Sequence, residues 1–89
     1  MFLHLGRDIT VDTSTIIAVF DMDTSTGSRH TKAYLRAAEE NGSLSVVSDE
    51  LPKSAVICSE NGEQKVYICQ ISSKTLAKRL ENKTDWEIL

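Results

Sequence analysis

Four side chains in this sequence are of types that bind transition metals or do redox chemistry: Cys58, Cys69, His4 and His30. Their spacing argues against both. Cys-x10-Cys with two isolated histidines matches no common zinc ligand pattern. The cysteines flank Glu60-Asn61-Gly62-Glu63, and Asn-Gly between two apolar runs predicts a two-residue hairpin turn. That turn sets Ile57 opposite Val66, Val56 opposite Tyr67 and Cys58 opposite Lys65. Cys69 then stands about 13 Å further along the strand, at roughly 3.3 Å per residue. A disulfide or a single metal ion cannot span that gap. The cysteines are expected to be buried structural thiols, and His4 and His30 to be packing residues. No metal and no cofactor are expected.

Other reactive groups do not assemble into a catalytic pattern. The sequence has no Gly-rich phosphate loop, no Gly-x-Ser-x-Gly and no His-Glu-x-x-His. Asp21 and Asp23 fall in a polar loop, while Glu39-Glu40 and Asp49-Glu50 are adjacent pairs suited to solvated edges. No catalytic residue and no small-molecule substrate are expected, so the chain reads as a non-enzyme. Two cationic groups remain. Arg29, Lys32 and Arg36 occupy the first half of a predicted helix, where the helix dipole disfavours cations. They read either as a solvated face, with Arg36 pairing Glu40, or as a site for an anion. Lys74, Lys78, Arg79 and Lys83 lie on a second predicted helix, where charge and dipole agree towards the C-terminus. Neither group carries the interleaved aromatics expected for single-stranded nucleic acid.

The elements that must position these residues follow from periodicity. Phe2–Leu5, Ile9–Val11 and the β-branched run Thr15–Phe20 predict strands. The polar segment Asp21–Ser28 leads into an amphipathic helix from Arg29 to Asn41, with Asn41-Gly42 as its stop. Its apolar side is read as His30, Ala33, Tyr34, Leu35, Ala37 and Ala38. Leu44–Val47 is a weaker strand, read as an edge. Ala55–Ser59 and Lys65–Ile71 form the hairpin, and Ser72-Ser73 caps a last helix from Lys74 to about Asn82. The order β-β-β-α-(β)-β-β-α predicts an α+β domain with a mostly antiparallel sheet.

Bulk properties set the limits. Eighty-nine residues make one small domain, expected over residues 1–82 with a C-terminal tail at 83–89. A chain this short buries only roughly 60–65% of its unfolded surface, which favours self-association. Ten Lys and Arg against thirteen Asp and Glu give a net charge of −3, against a protein held on nucleic acid by overall charge. No apolar run approaches the roughly 20 residues of a membrane span, so no membrane partner is expected. The N-terminus lacks a basic leader with a long apolar region, and two cysteines then fit a reducing cytoplasm. The Asn82-Lys83-Thr84 sequon reads as chance.

Four segments carry a resemblance. Met1-Phe2-Leu3-His4-Leu5-Gly6, Ile16-Ile17-Ala18-Val19-Phe20-Asp21, Pro52-Lys53-Ser54-Ala55-Val56-Ile57 and Ser72-Ser73-Lys74-Thr75-Leu76-Ala77-Lys78-Arg79 occur in this order with few gaps between residues 1 and 80. Together they resemble the RemB-type branch of the extracellular matrix regulatory proteins, whose better characterised branch is RemA. The resemblance implies a bacterial DNA-binding transcriptional regulator of biofilm matrix operons, a LytTR-like fold and a closed ring of identical subunits. RemA-type members carry adjacent arginines before the penultimate strand and another before the apolar strand near the start. Those positions here hold Leu51, Pro52 and Thr15, leaving Lys53 beside Asp49 and Glu50.

The leading expectation is therefore a ring that touches double-stranded DNA through Lys53, with Arg7, Arg29 and Lys32. The alternative is an oligomeric protein-interaction module that has lost DNA binding and modulates a partner regulator. Its motivation is the acidic balance and the replaced arginines. In that reading Trp86, Ile88 and Leu89 dock on a neighbouring subunit.

Overall fold

The computed structural model of the chain describes residues 1–22, 29–47 and 50–88, with side chains through Glu81. Phe2–Gly6 (β1) and Ile9–Asp12 (β2) form an antiparallel hairpin. Its alternation is strict: Leu3, Leu5 and Val11 are buried, while Phe2, His4 and Thr10 face solvent. A short 3-10 turn at Thr13–Thr15 follows, held by the Asp12 carboxylate, whose Oδ1 accepts from the Ser14 amide at 3.0 Å and the Ser14 hydroxyl at 2.9 Å. Next come Ile16–Asp21 (β3), Arg29–Glu40 (α1), Leu44–Val46 (β4), Ser54–Glu60 (β5), Glu63–Cys69 (β6) and Ser73–Ile88 (α2). The second sheet has the order β3-β5-β6-β4, with β4 parallel to β6 and the other pairs antiparallel.

That sheet is the middle of three layers. One face presents Val19, Val56, Cys58, Tyr67 and Cys69 to the β1–β2 hairpin, Val47 and the α2 residues Leu76 and Leu80. The other presents Ala18, Phe20, Ala55, Ile57, Val66 and Ile68 to Tyr34, Leu35 and Ala38 of α1 and to Leu44. Covered on both sides, β5 is buried without a break from Ser54 to Cys58, which is why Ala55–Cys58 is continuously apolar instead of alternating. Among the described residues, no helix is long and apolar enough to cross a membrane.

Local chemistry ends the elements where it should. Ser43 N–H donates to the Ala38 carbonyl at 2.9 Å and Gly42 N–H to that of Glu39 at 3.3 Å, with Gly42 at φ +81°, a Schellman stop for α1. Asn61 and Gly62 both have positive φ, +51° and +81°, as a type I′ turn demands. The pairs Ile57–Val66, Val56–Tyr67 and Cys58–Lys65 form in the expected register.

Three expectations need correction. His30, Ala33 and Ala37 are exposed, because α1 is rolled towards Leu35 and Tyr34, whose larger apolar areas gain more from contact with the sheet than alanine methyls do. His4 is also exposed, on the outer face of the hairpin, where its Nε2 lies 2.7 Å from the Arg7 carbonyl oxygen. Finally, α2 does not end near Asn82 but continues to Ile88. The sequence contains no Gly or Pro after Gly62, so nothing local stops it.

Candidate nucleic-acid interface

Lys53 sits on a short segment before β5 whose backbone is tied on both sides. Its amide donates to the Cys69 carbonyl at 2.8 Å, and its own carbonyl accepts from Met22 N–H at 3.0 Å. The residue therefore bridges the ends of β3 and β6 across the start of β5, with its side chain exposed. Beneath it, the fully buried Ser54 donates its hydroxyl to the Ile71 carbonyl at 2.7 Å, fixing the turn from β6 into α2. Pro52 adds a preset φ and has no N–H to satisfy. The segment is a rigid mount for a cation.

The chain returns to this end of the sheet several times. β3 and β6 finish there, as the pairs Asp21–Ser54 and Ser54–Cys69 require. β4 leaves there as well, its exit marked by Val47 N–H donating to the Ile68 carbonyl at 2.9 Å. Gly6, in the tip of the β1–β2 hairpin, packs directly on Val47, so the neighbouring Arg7 is carried to the same end. Arg7 is exposed, at φ +48°. Arg29 and Lys32, both exposed, lie in the half of α1 farther from the Asn61-Gly62 turn. The last residues of α1 deliver the chain to Ser43, whose carbonyl accepts from Val66 N–H at 2.9 Å, which fixes that direction.

Arg7 and the α1 cations nonetheless belong to layers on opposite faces of the sheet, with Lys53 between them at its rim. One cation here is not among the contacts expected from the sequence. Lys74 lies in the first turn of α2, just after Ser72, whose Oγ caps the helix by accepting from Thr75 N–H at 3.2 Å. The signal that could have found it is the Ser72-Ser73 cap directly after a strand.

Thr15 falls elsewhere. It precedes Ile16, which pairs with Cys58 at the other end of the β3–β5 ladder, about 17 Å along the strand from Asp21 and Ser54. Within one chain, the positions at which the resemblance leads one to expect arginines thus lie at opposite ends of the sheet. Leu51, at one of them, is 78% exposed with no charge to offer. The Thr15 end is also acidic: Glu39, Glu40, Glu60 and Glu63 are exposed there, with Lys65 as the neighbouring cation.

Both cysteines belong to the core on the hairpin side of the sheet. Both are free and buried, and burial pushes their thiols up, Cys69 to about 11. They remain protonated at neutral pH, the opposite of what a nucleophile or metal ligand needs. Among the described residues, no three His, Cys, Asp or Glu groups come together to hold a metal. Trp86 and Ile88 lie in the last turns of α2. Their side chains, and all of Leu89, are outside the described residues, as are Asp23 and Asp49.

The chain matches the RemA-like family, described as extracellular matrix regulatory protein A-like, across residues 2–80. Curated proteins give no significant match to it. The matched span runs from β1 through Leu80 of α2 and includes the Lys53 segment. The chain belongs to the RemA-like family of extracellular matrix regulatory proteins, and its role is a regulatory one.

Proposed function

We propose that this protein regulates matrix and biofilm genes in the cytoplasm as a homo-oligomeric ring that binds double-stranded DNA. Lys53 is the central contact, with Arg7, Arg29 and Lys32 touching phosphates beside it. The observation that supports this reading is the mount of Lys53, hydrogen-bonded through both its amide and its carbonyl, at an end of the sheet to which separate elements bring further cations. A single copy with a net charge of −3 grips DNA weakly. A closed assembly repeats the contact and adds the effective concentration of each neighbouring copy. The Pro52-Lys53-Ser54 segment supports placement in the RemB branch. Trp86, Ile88 and Leu89 supply subunit contacts, and they lie beyond the span matched by the family.

The test is DNA affinity as a function of salt for the wild-type protein and Lys53→Ala, with light scattering to establish the assembled mass. Removing a cation that touches phosphate weakens binding to all duplexes alike and flattens the salt slope by about 1 for each phosphate no longer neutralised. Unchanged affinity and slope would remove Lys53 from the site. A second reading is favoured by Leu51, Pro52 and Thr15 at the arginine positions: an interaction module that has lost DNA binding. A correctly assembled ring that fails to retard generic duplex DNA at low salt would establish that reading over the first.

A further inference from the structure

The end of the molecule away from Lys53 carries a groove of about 880 Å³, which DNA binding at the Lys53 rim does not use. It runs past the last turn of α1 (Ala37, Asn41), the first residues of β4 and the start of β6 (Glu63, Lys65), with Tyr34 and Tyr67 as its walls. The Tyr34 hydroxyl donates to Gln64 Oε1 at 2.7 Å, tying α1 to β6 and setting the width of the groove.

Beside the groove lies the outer edge of β4. Ser43 carbonyl accepts from Val66 N–H, and Val47 N–H donates to the Ile68 carbonyl, both at 2.9 Å. In a parallel ladder that pattern uses Ser45 for the intervening bonds and turns the N–H and C=O groups of Leu44 and Val46 outward. β4 is the last strand of the sheet, and Val46 is 60% exposed. The opposite edge, β3, is blunted by a bulge between Ile16 and Ala18. Leu44-Ser45-Val46 has no bulge, no proline and no charge, the usual protections of an open edge.

Charge identifies the occupant. Glu39 and Glu40 stand in the last turn of α1, which holds no basic residue, so they add to the negative end of its dipole. Across the hairpin, Glu60 is paired directly with Glu63, a like-charge cross-strand pair. Both placements cost the isolated domain stability; Glu63 lines the groove with Lys65 nearby, and Glu39 and Glu40 immediately precede the lining residues Asn41 and Gly42. An extended polypeptide matches the alternating donors and acceptors of Leu44 and Val46, and its cationic side chains relieve the carboxylates.

We propose that the β4 edge and its groove form a docking site for an extended, lysine- or arginine-bearing peptide segment of a partner protein, added as a further strand of the sheet. This site is independent of DNA binding and lies at the other end of the domain.

The experiment titrates the full-length protein at low salt with the capped peptide Lys-Val-Lys-Val-Lys-Val and, separately, with Glu-Val-Glu-Val-Glu-Val. Binding is followed by fluorescence anisotropy and amide NMR. The cationic peptide is expected to bind and to shift the Leu44 and Val46 amides, with the anionic one inert. Glu40→Gln and Glu63→Gln should each weaken binding about two- to fivefold. Val46→Pro removes an outward N–H without touching the ladder to β6, and should weaken binding about five- to tenfold. If Val46→Pro does not fold, the wild-type amide shifts decide alone. Equal binding of both peptides, or shifts spread over the acidic surface without Leu44 and Val46, would overturn the proposal. DNA binding by Val46→Pro should match wild type, so loss of one function does not imply loss of the other.

Discussion

Gly6 offers the sharpest test of how the hairpin is seated. Its φ is +140°, which L side chains rarely adopt, and a Cβ built there would stand 3.0 Å from Val47 Cγ1. Gly6→Ala therefore carries two costs. Holding alanine in such a backbone region costs about 1–3 kcal/mol. Val47 is only 2% exposed and sits in the core beneath the hairpin, so relieving the clash means overpacking at about 1–3 kcal/mol. The sum, about 2–6 kcal/mol, is a large part of the roughly 5–13 kcal/mol expected for a domain of this size.

Gly42→Ala is the matched control, because Gly42 also has positive φ, +81°, but nothing lies within 4 Å of its added Cβ. It should cost only the backbone part, about 1–2 kcal/mol. Urea denaturation at one fixed protein concentration reads the difference. With a slope of about 1.5 kcal/mol/M, a 3 kcal/mol loss in Gly6→Ala lowers the midpoint by about 2 M, and Gly42→Ala lowers it by about 1 M. Adding Val47→Ala to Gly6→Ala should cost less than the two single changes summed, because the clash and the deleted methyls share one space. If Gly6→Ala is no worse than Gly42→Ala, or the double variant is fully additive, then the hairpin tip is not locked on Val47.

Ser54→Ala leaves the Ile71 carbonyl without its donor in a site that is 0% exposed at Ser54, and should cost about 1–3 kcal/mol in the same urea assay. Cys69 gives a pH dependence. Burial raises its folded pKa to about 11, above the ordinary value of 9.0, so the folded state keeps a proton that the unfolded chain releases. The contribution is fully present below about pH 9 and is lost as pH rises towards about 11, so the urea midpoint should decline across that window. Cys69→Ala should remove that part of the decline, and an unchanged pH profile in the variant would show that the thiol is not its source.

Much of the fold is legible in the sequence because its signals are local. Asn61-Gly62 between apolar runs dictates a turn with two positive φ values, and that turn alone sets every pair in the β5–β6 ladder. Asn41-Gly42 does the same for the end of α1, and the element order follows from periodicity. The face of α1 is harder to read, because helical periodicity treats Ala33 and Ala37 like Leu35, whereas the sheet selects by the apolar area each residue can bury. The reach of α2 escapes the same rules, because a helix without a stop signal continues where its apolar stripe has already ended.

From the amino-acid order alone came the family resemblance, the hairpin register, the burial of both cysteines and Lys53 as the surviving cation of its segment, since each depends on neighbours a few positions apart. Tertiary structure alone decided that the hairpin and α1 cover opposite faces, that Gly6 at the hairpin tip packs on Val47, and that Thr15 lies at the far, acidic end. The reason is physical. Local rules act over one turn or one hairpin, whereas the meeting of residues such as Gly6 and Val47 is set by which apolar faces must share a single core.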